Sequence, residues 1–128
     1  MRLVDTVALV GYLNPDDRQH ERSVEHIANV GLDDDVFVPD FSLMEADLVM
    51  KTRGYSNSER EISWRALEAR IPSPKIAPHS ISSIYAALEL QEDGMDYFDS
   101  LITSLAIETE STVITTDKAI AAAVRTEW

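Results

Sequence analysis

Four acidic residues, Asp5, Glu45, Asp99 and Asp117, occupy positions from which side chains can do chemistry. Asp5 follows the apolar pair Leu3-Val4, and Asp117 follows the β-branched run Val113-Ile114-Thr115. Glu45 lies a few residues beyond Val36-Phe37-Val38, and Asp99 opens a helical stretch that feeds the last of these strands. In a parallel sheet the carboxyl ends of the strands share one edge, and ligands bind there. The four acids can therefore converge. Carboxylates within a few ångströms raise one another's pKa, so such a cluster persists where a divalent cation neutralises it. The chain has no Cys, and His20, His26 and His79 are too widely separated for a ligand set. Oxygen-only ligation favours Mg²⁺ or Mn²⁺ over Zn²⁺. One or two such ions orient water, lower its pKa and stabilise charge on phosphate, which is the chemistry of phosphodiester cleavage.

Each acid also has a purely local reading. Asp5 and Asp117 can cap the helices that follow them, and Asp99 can favour the positive end of its own helix. Glu45, three residues after Ser42, can complete a capping box. The three histidines are expected at the surface or at helix ends, and Ser80, Ser82 and Ser83 read as the cap and first turn of a helix.

The elements that must position these residues follow from periodicity and turn chemistry. Leu3-Val4 is a short strand leading into a helix that stops at Asn14-Pro15-Asp16-Asp17. A second helix is predicted from Arg18 to Val30, with Asp17 as its cap and Gly31 as its stop. Val36 to Val38 is a strand, followed by a helix from Phe41 to Thr52 that Gly54 ends. Ser58 with Glu61 fits a capping box for a helix whose core stripe is Trp64, Leu67 and Ile71, closed by Pro72 and Pro74. Lys75 to Ala77 is a third strand, and Ile81, Ile84, Tyr85 and Leu88 mark a helix ending near Gly94. Phe98, Ile102, Leu105 and Ala106 lie at helical spacing, Val113 to Thr115 is a strand, and Ile120 to Val124 is a closing helix. Strands alternating with helices predict an α/β fold whose parallel sheet is covered on both faces.

The 128 residues, 45% of them hydrophobic, suit a single domain spanning 1–128. A formal charge of −12 repels nucleic acid and anionic membrane alike, so an anionic substrate needs a local explanation. No disulfide or thiolate chemistry is open to the chain, no apolar run suits a membrane span, and nothing reads as a signal peptide. A cytoplasmic location is expected. The stretch from Lys51 to Lys75 departs from the acidic background, with six basic residues against three acidic ones. Arg53 and Arg60 within it are candidates for a phosphate-contacting rim, against the plainer reading of a solvated helix face.

At the four acids the sequence resembles the PIN-domain family, and within it the VapC-like toxins of toxin–antitoxin pairs. Val4-Asp5-Thr6, with Tyr12-Leu13-Asn14 after it, is similar to the family's first motif. Ser42 to Leu48 is similar to the second, Gly94 to Ile102 to the third, and Thr115-Thr116-Asp117-Lys118 to the fourth. The resemblance implies a three-layer α/β/α domain acting as a Mg²⁺-dependent endoribonuclease, with Mn²⁺ able to substitute. It implies Asp5, Glu45, Asp99 and Asp117 as metal ligands, with Thr115 as a supporting hydroxyl. It implies, too, a homodimer silenced by a small cognate antitoxin. Asp96 stands where the family commonly has an uncharged residue, so it is either a fifth carboxylate beside the site or a solvated one. The rival readings are a stand-alone nuclease and a silent RNA- or protein-binding module. A phospho-acceptor receiver domain wants an early acidic pair, whereas Asp5 stands alone between Val4 and Thr6.

Overall fold

The computed structural model describes residues 1–128. Its strands are β1 (Arg2–Val4), β2 (Val36–Pro39), β3 (Ile76–Ala77), β4 (Thr112–Ile114) and β5 (Thr126–Glu127). Its helices are α1 (Thr6–Leu13), α2 (His20–Leu32), α3 (Asp40–Thr52), α4 (Asn57–Glu68), α5 (Ile81–Glu92), α6 (Tyr97–Thr109) and α7 (Lys118–Ala123). The strands form one parallel sheet in the order β3-β2-β1-β4-β5.

The three layers come directly from the two-residue period of the strands. Val4, Val36, Val38 and Ile114 point to one face and join Ala8, Leu9, Ile27, Val30, Leu67 and Ile71. Leu3 and Val113 point to the other, where Leu101, Ile102, Leu105, Ala106 and Ile120 cover them. Both faces of β1 are therefore buried, as an α/β/α sandwich requires. No helix is long and apolar enough to cross a membrane.

Several local expectations are corrected. The capping box of α4 is Ser56 with Glu59, because Ser56 is the last extended residue and Ser58 already lies in the first turn. Two Ser/Glu pairs of equal spacing compete in the sequence, and the earlier one starts the helix. Helix α2 begins at His20 and runs through Gly31 to Leu32. Burial of Val30 holds the chain helical past a residue that is elsewhere a stop. His26 is buried at 6% exposure beneath the Trp128 ring, 4.7 Å away, rather than lying at the surface or a helix end. The short strand β5 has no counterpart in the sequence-based assignment. On α5, Ile81, Tyr85 and Leu88 are exposed.

One close approach fixes how α1 and α2 pack. A methyl group built on Gly11 meets Ser23 Oγ at 2.2 Å and Ser23 Cβ at 3.0 Å. Gly11→Ala should therefore cost about 1–3 kcal/mol, as overpacking does, and lower the melting temperature by several degrees. An unchanged midpoint in thermal unfolding would show that the two helices separate freely.

Candidate active site

Asp5 leaves β1 next to the end of β4, because Val4 pairs with Ile114 in the parallel register. Its backbone N–H donates to the Ile114 carbonyl at 3.1 Å. The next residue on β4's side is Thr115, whose hydroxyl donates to Asp5 Oδ2 at 2.7 Å and accepts the Asp117 N–H at 3.0 Å. Thr115 thus ties two of the four acids to one buried oxygen. Thr6, the first residue of α1, donates its hydroxyl to Glu45 on α3. Asp99 sits in the first turn of α6. The neighbouring Ser100 is buried, donates to the Tyr97 carbonyl at 2.5 Å and receives Gln91 Nε2 of α5 at 2.9 Å, which fixes the rotation of α6.

Asp5, Glu45 and Asp99 line a single cleft of about 280 Å³, which runs along α1 past Val7 and Val10 to Asp17 and Arg53. Asp117 lies outside the cleft lining, yet its charge acts on all three. Burial first, then the negative charges of Asp117, Asp5, Glu45 and Asp96, pushes the Asp99 carboxyl up to about 7. Burial also raises Asp5, opposed by the Thr115 hydroxyl and the Thr6 backbone and reinforced by Asp117. Glu45 is raised by burial, with the Thr6 hydroxyl opposing and Asp5 and Asp117 adding.

Local capping explains only one of the four. Asp117 Oδ1 accepts from the Ala119 N–H at 2.8 Å and the Ile120 N–H at 3.0 Å, so it caps α7. Asp5 precedes α1 but makes no capping bond. Helix α3 starts at Asp40, so Ser42 is inside it and cannot form a capping box with Glu45. Asp96 is the residue before α6, caps nothing and is exposed, adding only its charge to Asp99.

The donor set is carboxylate oxygen alone, partly buried and mutually repelling, which fits a hard divalent cation. No group of three or more acids or histidines is gathered closely enough to hold a metal ion as the side chains stand. Mg²⁺ asks for fewer, being held by one or two carboxylates and keeping several waters.

Two lining residues escaped the sequence reading as site residues. Asp17 was expected as the cap of α2; instead Gln19 is the residue before that helix, and Asp17 Oδ1 accepts the Gln19 N–H at 2.8 Å in the turn beside the cleft. Thr6, between Asp5 and the apolar face of α1, carried no signal except its neighbour. The basic rim is corrected at Arg60. Its Nε and Nη2 are engaged by Asp47 at 3.1 and 2.5 Å, and Trp64 Nε1 donates to the same carboxylate at 2.8 Å. Arg53 makes no ion pair and lines the cleft. It is placed there by the end of α3, where the Gly54 N–H reaches the Lys51 carbonyl and the Tyr55 N–H the Met50 carbonyl, both at 3.1 Å. Gly54 at φ +87° permits this reversal.

The PIN domain model matches residues 2–125. Comparison with curated proteins gives no significant match. Among solved structures, FitAcB from Neisseria gonorrhoeae superposes with a TM-score of 0.73 at 20% identity, over 98% of this chain and 96% of that one. VapBC2 from Rickettsia felis, bound to a DNA fragment from its promoter, gives 0.72 at 18% identity over 99% and 98%. VapC20 from Mycobacterium tuberculosis, a toxin that cleaves the sarcin–ricin loop, gives 0.74 at 13% identity over 96% and 95%. At these identities the likeness is one of fold.

Proposed function

We propose, on the premise that this chain belongs to the PIN domain family, that it is a Mg²⁺- or Mn²⁺-dependent endoribonuclease of the toxin–antitoxin type. The observation that carries this reading is the meeting of Asp5, Glu45 and Asp99 in one cleft, under the charge of Asp117. Asp5, Glu45, Asp99 and Asp117 would hold the cation. When bound, the ion supplies positive charge at the phosphate and makes water a better nucleophile near neutral pH. The protein's own part is to pre-set the ligands. Thr115 and Thr6 each give one hydrogen bond to a carboxylate, which fixes its direction and favours its charged form. Asp99, whose carboxyl is pushed up to about 7, keeps its proton about half the time at neutral pH and would give it up as a cation arrives.

Arg53 is the cleft's own cation and faces the substrate phosphate in this reading. Helix α5 presents Ile81, Tyr85 and Leu88 to solvent, and Ile62 is exposed on α4, so apolar surface is at hand for a second copy and for a small antitoxin. Solved relatives of this fold include VapBC2, and the partner proposal draws on that likeness.

The test is purified protein, freed of any bound inhibitor, incubated with structured RNAs with Mg²⁺, with Mn²⁺ and with EDTA. Cleavage in the first two and none in the third is the expected outcome, and cleavage equal in all three would sink the metal-dependent mechanism. Within the same assay, Arg53→Gln should raise KM for RNA about tenfold, the scale of one charge-assisted hydrogen bond. It should also reduce the slope of log affinity against log salt by about 0.7. Arg60→Gln should leave that slope alone, because its guanidinium is already held by Asp47. Equal slopes for wild type and Arg53→Gln would remove Arg53 from the interface.

A further inference from the structure

Strand β5 is two residues long and lies at the edge of the sheet. The Val113 N–H donates to the Arg125 carbonyl and the Thr115 N–H to the Glu127 carbonyl, each at 2.9 Å. The second bond therefore falls on the residue whose hydroxyl holds Asp5. So short a pairing is not stable by itself in water, and side chains must fasten it. Glu127 receives Arg2 Nη1 at 3.1 Å. The larger fastening is Trp128, whose ring packs on the core beneath α1 and α2 and lies 4.7 Å from the His26 ring. Its indole N–H donates to Gln19 Oε1 at 3.0 Å, and Arg22 Nη2 donates to its backbone oxygen at 3.1 Å. Gln19, Arg22 and His26 all belong to α2 or the residue before it. Trp128 thus clamps β5 to α2 and touches none of the four acids.

We infer that Trp128 is a positioning residue for the carboxylate cleft, holding β5 in register so that Thr115 keeps its hydroxyl on Asp5. The path is short: Trp128 fixes the Glu127 carbonyl, that carbonyl fixes the Thr115 N–H, and the Thr115 side chain follows its backbone. A β-branched residue has little χ1 freedom of its own, so tilting the Thr115 peptide carries the hydroxyl away from Asp5 Oδ2 and from the Asp117 N–H. Without its anchor the edge strand opens locally at small cost, ahead of global unfolding. The effect on cleavage rests on the nuclease reading; the effect on Thr115 does not.

The experiment uses the full chain without metal, with amide hydrogen exchange followed by NMR in wild type, Trp128→Ala, Trp128→Phe and Trp64→Ala. In Trp128→Ala the Thr115 N–H should exchange at least tenfold faster than that variant's global unfolding allows, while in Trp64→Ala it should track global stability. Trp128→Phe, which keeps the packing and loses the Gln19 bond, should restore most of the protection. Mn²⁺ alone, titrated by calorimetry, should bind about tenfold more weakly to Trp128→Ala, the lower end of what loss of a ligand's supporting contact costs. Adding Thr115→Val should weaken it no further, because both changes remove the same contact. In RNA cleavage kcat should fall and KM stay within twofold. If Trp128→Ala does not fold, Trp128→Phe and Gln19→Ala carry the test, each with a smaller acceleration confined to β4 and β5. Thr115 exchange that tracks global stability in every variant, or a Mn²⁺ loss fully additive with Thr115→Val, overturns the inference. Wild type that binds Mn²⁺ but cuts no RNA would sink the nuclease reading, while the Thr115 exchange would still decide the anchor.

Discussion

Asp99→Asn should lower RNA cleavage by about three orders of magnitude without unfolding the protein, and Asp5→Asn should do the same. Each change removes one negative charge from the cleft while keeping the side chain's size. The contribution at stake is several kcal/mol of charge stabilisation in the transition state, on the order of 10³-fold in rate. Asp99 is the more telling position, because burial and four neighbouring acids act on it together. Asp5 is the more buried, at 7% exposure, and Thr115 holds it. Asp117 is the internal comparison: Asn caps a helix about as well as Asp, so Asp117→Asn keeps α7 and loses only the charge. Unchanged cleavage in both Asp5→Asn and Asp99→Asn would take the cleft out of the mechanism.

The same substitution should stabilise the metal-free protein, and the effect should depend on pH in a definite direction. Asp99 titrates near 7 when folded and in the ordinary carboxylate range when unfolded. Between those values the native state keeps a proton that the unfolded chain has released. Its contribution is therefore complete at about pH 4 and below, and it is lost as pH rises through 7. Asp5 and Glu45, both raised, act in the same sense. Burial lowers His26, with Arg22 adding, so His26 acts oppositely and gains stability as pH rises through its ordinary value. Comparing wild type with Asp99→Asn isolates the one group. At pH 8 without metal the variant should melt several degrees higher, about 1–2 kcal/mol after allowing for solvent screening at a partly exposed group, and at pH 5 the gap should narrow. Mn²⁺ at 100 times its Kd should raise wild type by about 2.7 kcal/mol and the variant by less. Thermal unfolding at constant ionic strength measures all of this. Equal midpoints at pH 8, with equal gains from Mn²⁺, would mean that the acids do not feel one another.

The large pieces of this fold were legible because they rest on strong local signals. Leu3-Val4, Val36 to Val38 and Val113-Ile114 are β-favouring runs buried on both faces, and the acids that follow them mark one sheet edge. The convergence of Asp5, Glu45 and Asp99 on one cleft was readable through that edge and through the family resemblance together. What was missed is what tertiary contact decides. Thr126-Glu127 carries no alternation, and it is a strand only because β4 has a free edge and Trp128 finds a place on α2. Gly31 stays helical because Val30 must reach the core. Arg60 looked free in sequence, yet its partner Asp47 lies on a different helix. Thr6 and Asp17 could be found only once the chain had turned back on the cleft.

The hydrogen bond from Thr115 to Asp5 spans 110 residues of chain. At a synthesis rate of about 5–20 residues per second, the ribosome needs roughly 5–20 s to make the interval between them. During that time β1 has no β4 beside it, and Asp5 has no hydroxyl partner. A nascent chain thus holds Asp5 and Glu45 without their partners until Thr115 and Asp117 have been made, and the carboxylate centre assembles only after that point. On the nuclease reading proposed above, this order of residues would keep the growing chain inert beside its own messenger until that point.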